Sequence, residues 1–221
     1  MTKVENPTSD QSSRFIQKNS AAIRIWHWLT FLTILSLIVT VLMASTALNP
    51  RKNIPEVQNA LKEKGVVISN DQAWAVSHMY DDKMWDFHKI LGFALTFLFL
   101  SRIVVEFTQP KKEKVNFRFK NALAAIKQPD QDKKELRHYL IVKGGYFIFY
   151  LLLMAMVGTG MVIAFGSDLG LSGPARHSVK EAHGLFQYGI YTFFVVHLIG
   201  VVLADMGKAK GVVSGMINGG K

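Results

Sequence analysis

Four apolar blocks, each about twenty residues long, divide this chain, and polar stretches separate them. They run roughly from Ile25 to Ala47, His88 to Phe107, Gly145 to Phe165 and His183 to Ala204. A soluble domain would spread its apolar residues at helix or strand period instead. About twenty residues at 1.5 Å rise cover the ~30 Å hydrocarbon core of a bilayer. The pattern therefore predicts an all-α fold, an integral membrane four-helix bundle. Residues 1–22 form an N-terminal segment, 23–206 the four-span domain and 207–221 a tail. The mixed polar stretch before the first span does not read as a signal peptide, being too long for the charged leader region.

Lys and Arg number seventeen in the stretch before span one (residues 1–24), the 108–144 loop and the tail, against seven in the 48–87 loop and the segment between spans three and four. The positive-inside rule then places both termini in the cytoplasm and the 48–87 loop in the periplasm. That loop holds six acids and five bases and is 40 residues long, long enough to pack as a small cap. Two surface helices are expected: Pro55–Lys64, with Pro at its entry, and Asn116–Lys127, whose basic face suits anionic lipid.

Charge and composition narrow the chemistry. The net charge of +10 sits in loops between apolar spans, which favours membrane orientation over nucleic acid binding. There is no cysteine, so disulfides, iron–sulfur clusters, thiolate zinc sites and thioether-linked haem are excluded. Metal chemistry must rest on the seven histidines, the carboxylates or the methionines.

Four histidines, His27, His88, His183 and His197, fall in or at the ends of spans, where ionisable groups are costly and mark function. His183 and His197 stand 14 residues apart in one span. That is just under four turns, so both project from nearly one face, ~21 Å apart along the axis. Span one starts inside and span two outside, so His27 matches the depth of His197, and His88 that of His183. Two imidazoles facing each other at one depth, with no carboxylate between, suit a low-spin haem with both axial positions filled. Zinc would want three or four ligands at one level. The candidate iron ligands are therefore His27 with His197 and His88 with His183, for two b-type haems.

Small residues surround these positions. Gly92, Gly184, Gly189, Gly200, Gly158 and Gly160 would let either helices or a flat macrocycle approach closely. Arg102 reads either as a snorkelling cation paired with Glu106 or as a partner for a haem propionate or a quinone oxygen; Arg24 has similar options. Lys89 and Arg176 are candidates for propionates at the other face. His78 lies among Trp74, Tyr80 and Trp85, an aromatic cluster of interfacial type. His138 and His177 are in loops or at span edges.

The stretches RIWHWL (Arg24–Leu29) and HKILGF (His88–Phe93), the His183/His197 pair and the tail GVVSGMINGGK (Gly211–Lys221) resemble the di-haem membrane cytochrome b family. That family includes the cytochrome b subunits of nickel–iron hydrogenases and formate dehydrogenases and bacterial cytochrome b561. The resemblance runs from Ser20 onward and implies the same ligand pairing as the depth argument. It also implies a bacterial inner-membrane cytochrome that passes electrons between the quinone pool and a periplasmic partner, a c-type cytochrome or an oxidoreductase subunit. The alternative is a stand-alone superoxide:quinone oxidoreductase of the cytochrome b561 type. The long 48–87 loop departs from the small members of that type and favours a docked partner.

Overall fold

The computed structural model describes residues 20–108, 133–207 and 212–219. Six helices are found among the described residues: α1 (Ala21–Ser45), α2 (Pro50–Lys62), α3 (Asn70–Thr108), α4 (Lys133–Phe165), α5 (Gly173–Met206) and α6 (Val212–Ile217). No strand occurs among them. Most of the N-terminal segment, the expected Asn116–Lys127 surface helix, the His138 side chain and the tail residues Lys208, Lys210 and Lys221 lie outside the described residues.

Four helices, α1, α3, α4 and α5, are long and apolar enough to cross a membrane. Their outward faces carry Leu32, Phe97, Phe107, Phe147 and Leu185, all exposed. Water would penalise that surface at about 25 cal/mol per Å², whereas lipid tails accept it at no cost. The interior is correspondingly narrow. Ile34 of α1, Leu95 and Phe99 of α3, Leu153 of α4 and Ile190 of α5 form one core, flanked by Leu37, Ile38, Phe149 and Met156. Each of the four helices thus gives one stripe to a common contact.

Three helices extend beyond their apolar blocks. α3 has 39 residues, ~58 Å of rise, and starts 18 residues before His88. Its start is fixed by a capping box: the Gln72 amide donates to Ser69 Oγ at 3.2 Å, and the Ser69 amide donates to Gln72 Oε1 at 2.9 Å. The 48–87 segment is consequently helical through most of its length. α2 packs against the early part of α3, where Ala73, Ser77 and Asp81 are buried at one-turn spacing. Gln58 Nε2 donates to Asn70 Oδ1 at 2.8 Å across the joint. Gly65 makes the turn at φ +79°, a left-handed conformation that costs a residue with a Cβ.

The expected Pro55 entry is corrected. α2 begins at Pro50, with Asn49 as its cap, and Pro55 lies inside the helix. Sequence patterning placed the start at the wrong proline because the polar residues Arg51–Asn53 resemble loop; the Asn49 side chain, accepting from the Arg51 and Lys52 amides, is what starts the helix.

The chain divides into two compact units, Thr30–Thr192 and a second formed by Met1–Leu29 with Phe193–Lys221. The core above belongs to the first. In the second, the short helix α6 is held near the start of α1: Trp28 Nε1 donates to the Met216 carbonyl at 3.0 Å, and the Val213 amide donates to Asp205 Oδ1 at 3.5 Å.

Candidate functional site

The structure brings the four intramembrane histidines together in two pairs, each inside one unit. In the Thr30–Thr192 unit, the rings of His88 (α3) and His183 (α5) have centroids 6.5 Å apart at 83°. In the other unit, His27 (α1) and His197 (α5) have centroids 6.3 Å apart at 54°. These are the partners that the depth argument matched.

The surroundings of the pairs differ. His88 Nδ1 lies 2.8 Å from Thr40 Oγ1 of α1, and His183 Nδ1 lies 2.8 Å from Thr159 Oγ1 of α4. Trp85 sets its ring edge-on to His88 at 5.5 Å. A Cβ on Gly160 would stand 3.4 Å from His183 Cε1, so glycine there lets α4 come close to that ring. At the other pair, Phe193 stacks on His197 at 5.7 Å and 9°, and Trp28 meets His27 edge-on at 5.5 Å. His27 Nδ1 is buried without a hydrogen-bond partner.

Among the other candidates, Arg102 Nη1 lies 3.5 Å from Glu106 Oε2, the i,i+4 ion pair expected on one reading. The Arg24 guanidinium packs so closely on Gly219 that a Cβ there would collide with it. Lys89 pairs with Asp86 at 2.7 Å, and Arg176 donates to Ser167 Oγ at 2.9 Å. Gly189 lets Leu152 approach to a distance a Cβ would block, so it serves helix packing. At Gly92, Gly158, Gly184 and Gly200 a Cβ would meet nothing within 4 Å, so contacts between helices do not require glycine there. The aromatic residues around His78 do not gather into one cluster. Trp74 packs edge-on to His78 at 4.3 Å, whereas Trp85 belongs to His88. His78 Nδ1 stands 3.9 Å from Asp81 and 3.7 Å from Asp82, and His177 pairs with Glu181 at 3.6 Å on an exposed face.

A family model described as prokaryotic cytochrome b561 matches residues 19–219. The chain belongs to the prokaryotic cytochrome b561 family. It is therefore a membrane b-type cytochrome of electron transfer. Neither the curated proteins nor the solved structures compared with this b561 chain include a match.

The histidine pairs of this cytochrome b561 chain fit a haem iron. A metal–imidazole bond of about 2.0 Å, plus about 1.1 Å from nitrogen to ring centre, puts two rings that share one metal about 6.2 Å apart, centre to centre. The observed 6.3 and 6.5 Å match that span. Hydrogen-bonded rings in direct contact would lie closer or offset. The absence of cysteine agrees with the non-covalent attachment that defines a b-type haem. Thr40 and Thr159 are the residues that sequence reasoning missed, since a threonine in an apolar span resembles any small helix-packing residue.

Proposed function

We propose that this cytochrome holds two b-type haems, one between His27 and His197 and one between His88 and His183, and carries electrons between the quinone pool and a periplasmic redox partner. The observation that carries the reading is the pair of imidazole–imidazole spans, 6.3 and 6.5 Å, each wide enough for one iron. When bound, the haem supplies one-electron Fe(III)/Fe(II) chemistry with no open coordination site for gas or substrate. The chain would supply the ligating imidazole nitrogens of His27, His197, His88 and His183, their orientation and the apolar surroundings. α5 contributes one ligand to each pair, α1 and α3 one each, and α4 none.

Orientation follows the positive-inside rule, with seventeen basic residues assigned to the cytoplasmic side against seven. Both termini and the His27–His197 pair then lie toward the cytoplasm, and the α2–α3 hairpin and the His88–His183 pair toward the periplasm of a bacterial inner membrane. The hairpin supports a docked partner, a c-type cytochrome or an oxidoreductase subunit. It is helical, capped at both starts and tied across its joint, and so offers a stiff surface. Arg24 and Arg102 serve as cationic neighbours of the cofactors or of quinone. Arg102 keeps Glu106 at hand as counter-charge, a pairing that lowers the cost of a cation in a membrane.

The test is a purified holoprotein in mild detergent. A pyridine haemochrome count of two per chain and reduction of both haems by added quinol are expected. A count well below two, or no b-type α-band, sinks the haem reading. Intact haems that quinol leaves oxidised sink the quinone reading. Rapid quinone reduction from superoxide by the isolated chain would replace the docked partner with a stand-alone oxidoreductase.

A further inference from the structure

The hydroxyls beside the His88–His183 pair have an assignable direction. Thr40 Oγ1 lies 2.7 Å from the Leu37 carbonyl, and Thr159 Oγ1 lies 2.6 Å from the Ala155 carbonyl. A carbonyl only accepts, so each hydroxyl proton is spent there. Each threonine oxygen is left as the acceptor and each histidine Nδ1–H as the donor. Both rings are thereby held as the neutral tautomer with the proton on Nδ1 and the lone pair on Nε2, the form that binds a metal. Two threonines on two different helices, α1 and α4, do the same thing to two ligands.

The second pair has no such arrangement. His27 Nδ1 is buried without a hydrogen-bond partner. His197 is held by the stacked Phe193 ring, and no hydrogen bond to its ring occurs among the described residues.

We propose that Thr40 and Thr159 are positioning residues that hold the midpoint potential at His88–His183 below that at His27–His197. The inference rests on the bis-histidine reading above. A ferric ion draws more electron density from an imidazole than a ferrous ion does, which polarises Nδ1–H and strengthens its hydrogen bond. An acceptor at Nδ1 therefore favours the oxidised state and lowers the potential. Among the described residues, only one of the two pairs has that acceptor, and it has two. A single electron shared between the sites settles at His27–His197. In the orientation proposed above, electrons from a periplasmic donor run downhill toward the cytoplasmic side of the membrane.

Optical redox titration of purified two-haem protein tests this. His27→Ala and His88→Ala variants, each keeping one haem, assign the two midpoints. Thr40→Val and Thr159→Val should each raise the His88–His183 midpoint, changing its reduced-to-oxidised ratio at fixed potential by about threefold. The double variant should shift it about tenfold, about 59 mV for a one-electron couple. The other midpoint should stay in place, and Thr→Ser at either position should keep the wild-type value. Unmoved midpoints in valine variants that keep both haems overturn the proposal, as does serine behaving like valine. If the valine variants lose haem, the order of the wild-type midpoints decides: His88–His183 lower supports the proposal, and the reverse order overturns it. A wild-type protein with no haem at all would instead refute the bis-histidine reading.

Discussion

Two histidine pairs of the same composition are held by different forces. At His88–His183, hydrogen bonds to Thr40 and Thr159 grip each ring at one nitrogen. At His27–His197, the neighbouring rings are aromatic: Phe193 is stacked on His197 and Trp28 is edge-on to His27. The strengths are similar, about 1 kcal/mol for a hydrogen bond and about 0.5–1.5 kcal/mol for an aromatic contact. What differs is direction. A hydrogen bond to Nδ1 selects one tautomer and one ring rotation, whereas a stacked ring fixes the plane and leaves the proton unassigned. A pair that must hold a set electronic state needs the former; a pair that only needs its rings parked can use the latter.

The largest effect that separates the two is deletion of a ligand. His88→Ala or His183→Ala should remove one haem entirely and leave the other, and His27→Ala or His197→Ala should do the converse. The haemochrome count then falls from two to one, and the surviving α-band identifies the pair. A variant such as His88→Ala that removes the same haem as His27→Ala would break the pairing, and with it the comparison. These substitutions cost more than packing because an axial nitrogen has no substitute among alanine's atoms.

A smaller effect is expected at Gly160, where a Cβ would stand 3.4 Å from His183 Cε1. Alanine fits at ordinary contact and should change haem retention little. Leucine adds atoms that must displace the ring, an overpacking cost of about 1–3 kcal/mol. Haem loss from His88–His183 to an excess of a scavenging apoprotein should speed up about tenfold or more, with the second haem unaffected. Equal loss from both pairs would mean that Gly160 supports the bundle and not the ring.

The histidine pairs were legible in the sequence for a physical reason: an ionisable group inside an apolar block stands out, and the 14-residue spacing of His183 and His197 turns helix rise into depth. The threonines were not, because Thr40 and His88 are 48 residues apart, and Thr159 and His183 are 24 apart. Threonine is also common in such spans. A signal was nevertheless present for Thr40. It stands thirteen residues after His27 in α1, almost the spacing of the two histidines in α5, so the same rise argument levels it with His88. The long start of α3 was hidden because hydropathy rises only at His88, whereas the helix is set earlier by Ser69 and Gln72. Hydropathy marks where a helix meets lipid, and caps mark where it begins.

At His27–His197 the tail offers the next test. Trp28 touches His27 on one side and donates to the Met216 carbonyl on the other. Trp28→Phe keeps an aromatic edge but removes the donor, at about 1 kcal/mol. Hydrogen exchange across 212–219 should rise about fivefold, with both haems retained. Gly219→Ala should loosen the same segment by another route, since Gly219 has φ +81° and packs on the Arg24 guanidinium. A left-handed residue with a Cβ costs about 1–2 kcal/mol before any collision. If exchange there is already fast in the wild type and neither change moves it, the tail does not brace this pair.

The smallest expected effect lies in the hairpin attached to the His88 helix. Asn49 caps α2 by accepting from the Arg51 amide at 3.1 Å and the Lys52 amide at 3.3 Å. Asn49→Ala should cost about 1 kcal/mol, so amides in Pro50–Lys62 should exchange about fivefold faster, and Asn49→Ser should restore them. The His88–His183 midpoint should not move, because α3 has its own capping box at Ser69 and Gln72 and the Thr40 and Thr159 bonds do not pass through α2. A midpoint that shifts with Asn49→Ala would show that the hairpin strains or steadies the His88 ring. The hydrogen bonds would then not be the sole cause of the difference between the two pairs, and a partner docked on the hairpin would have a mechanical route to the potential.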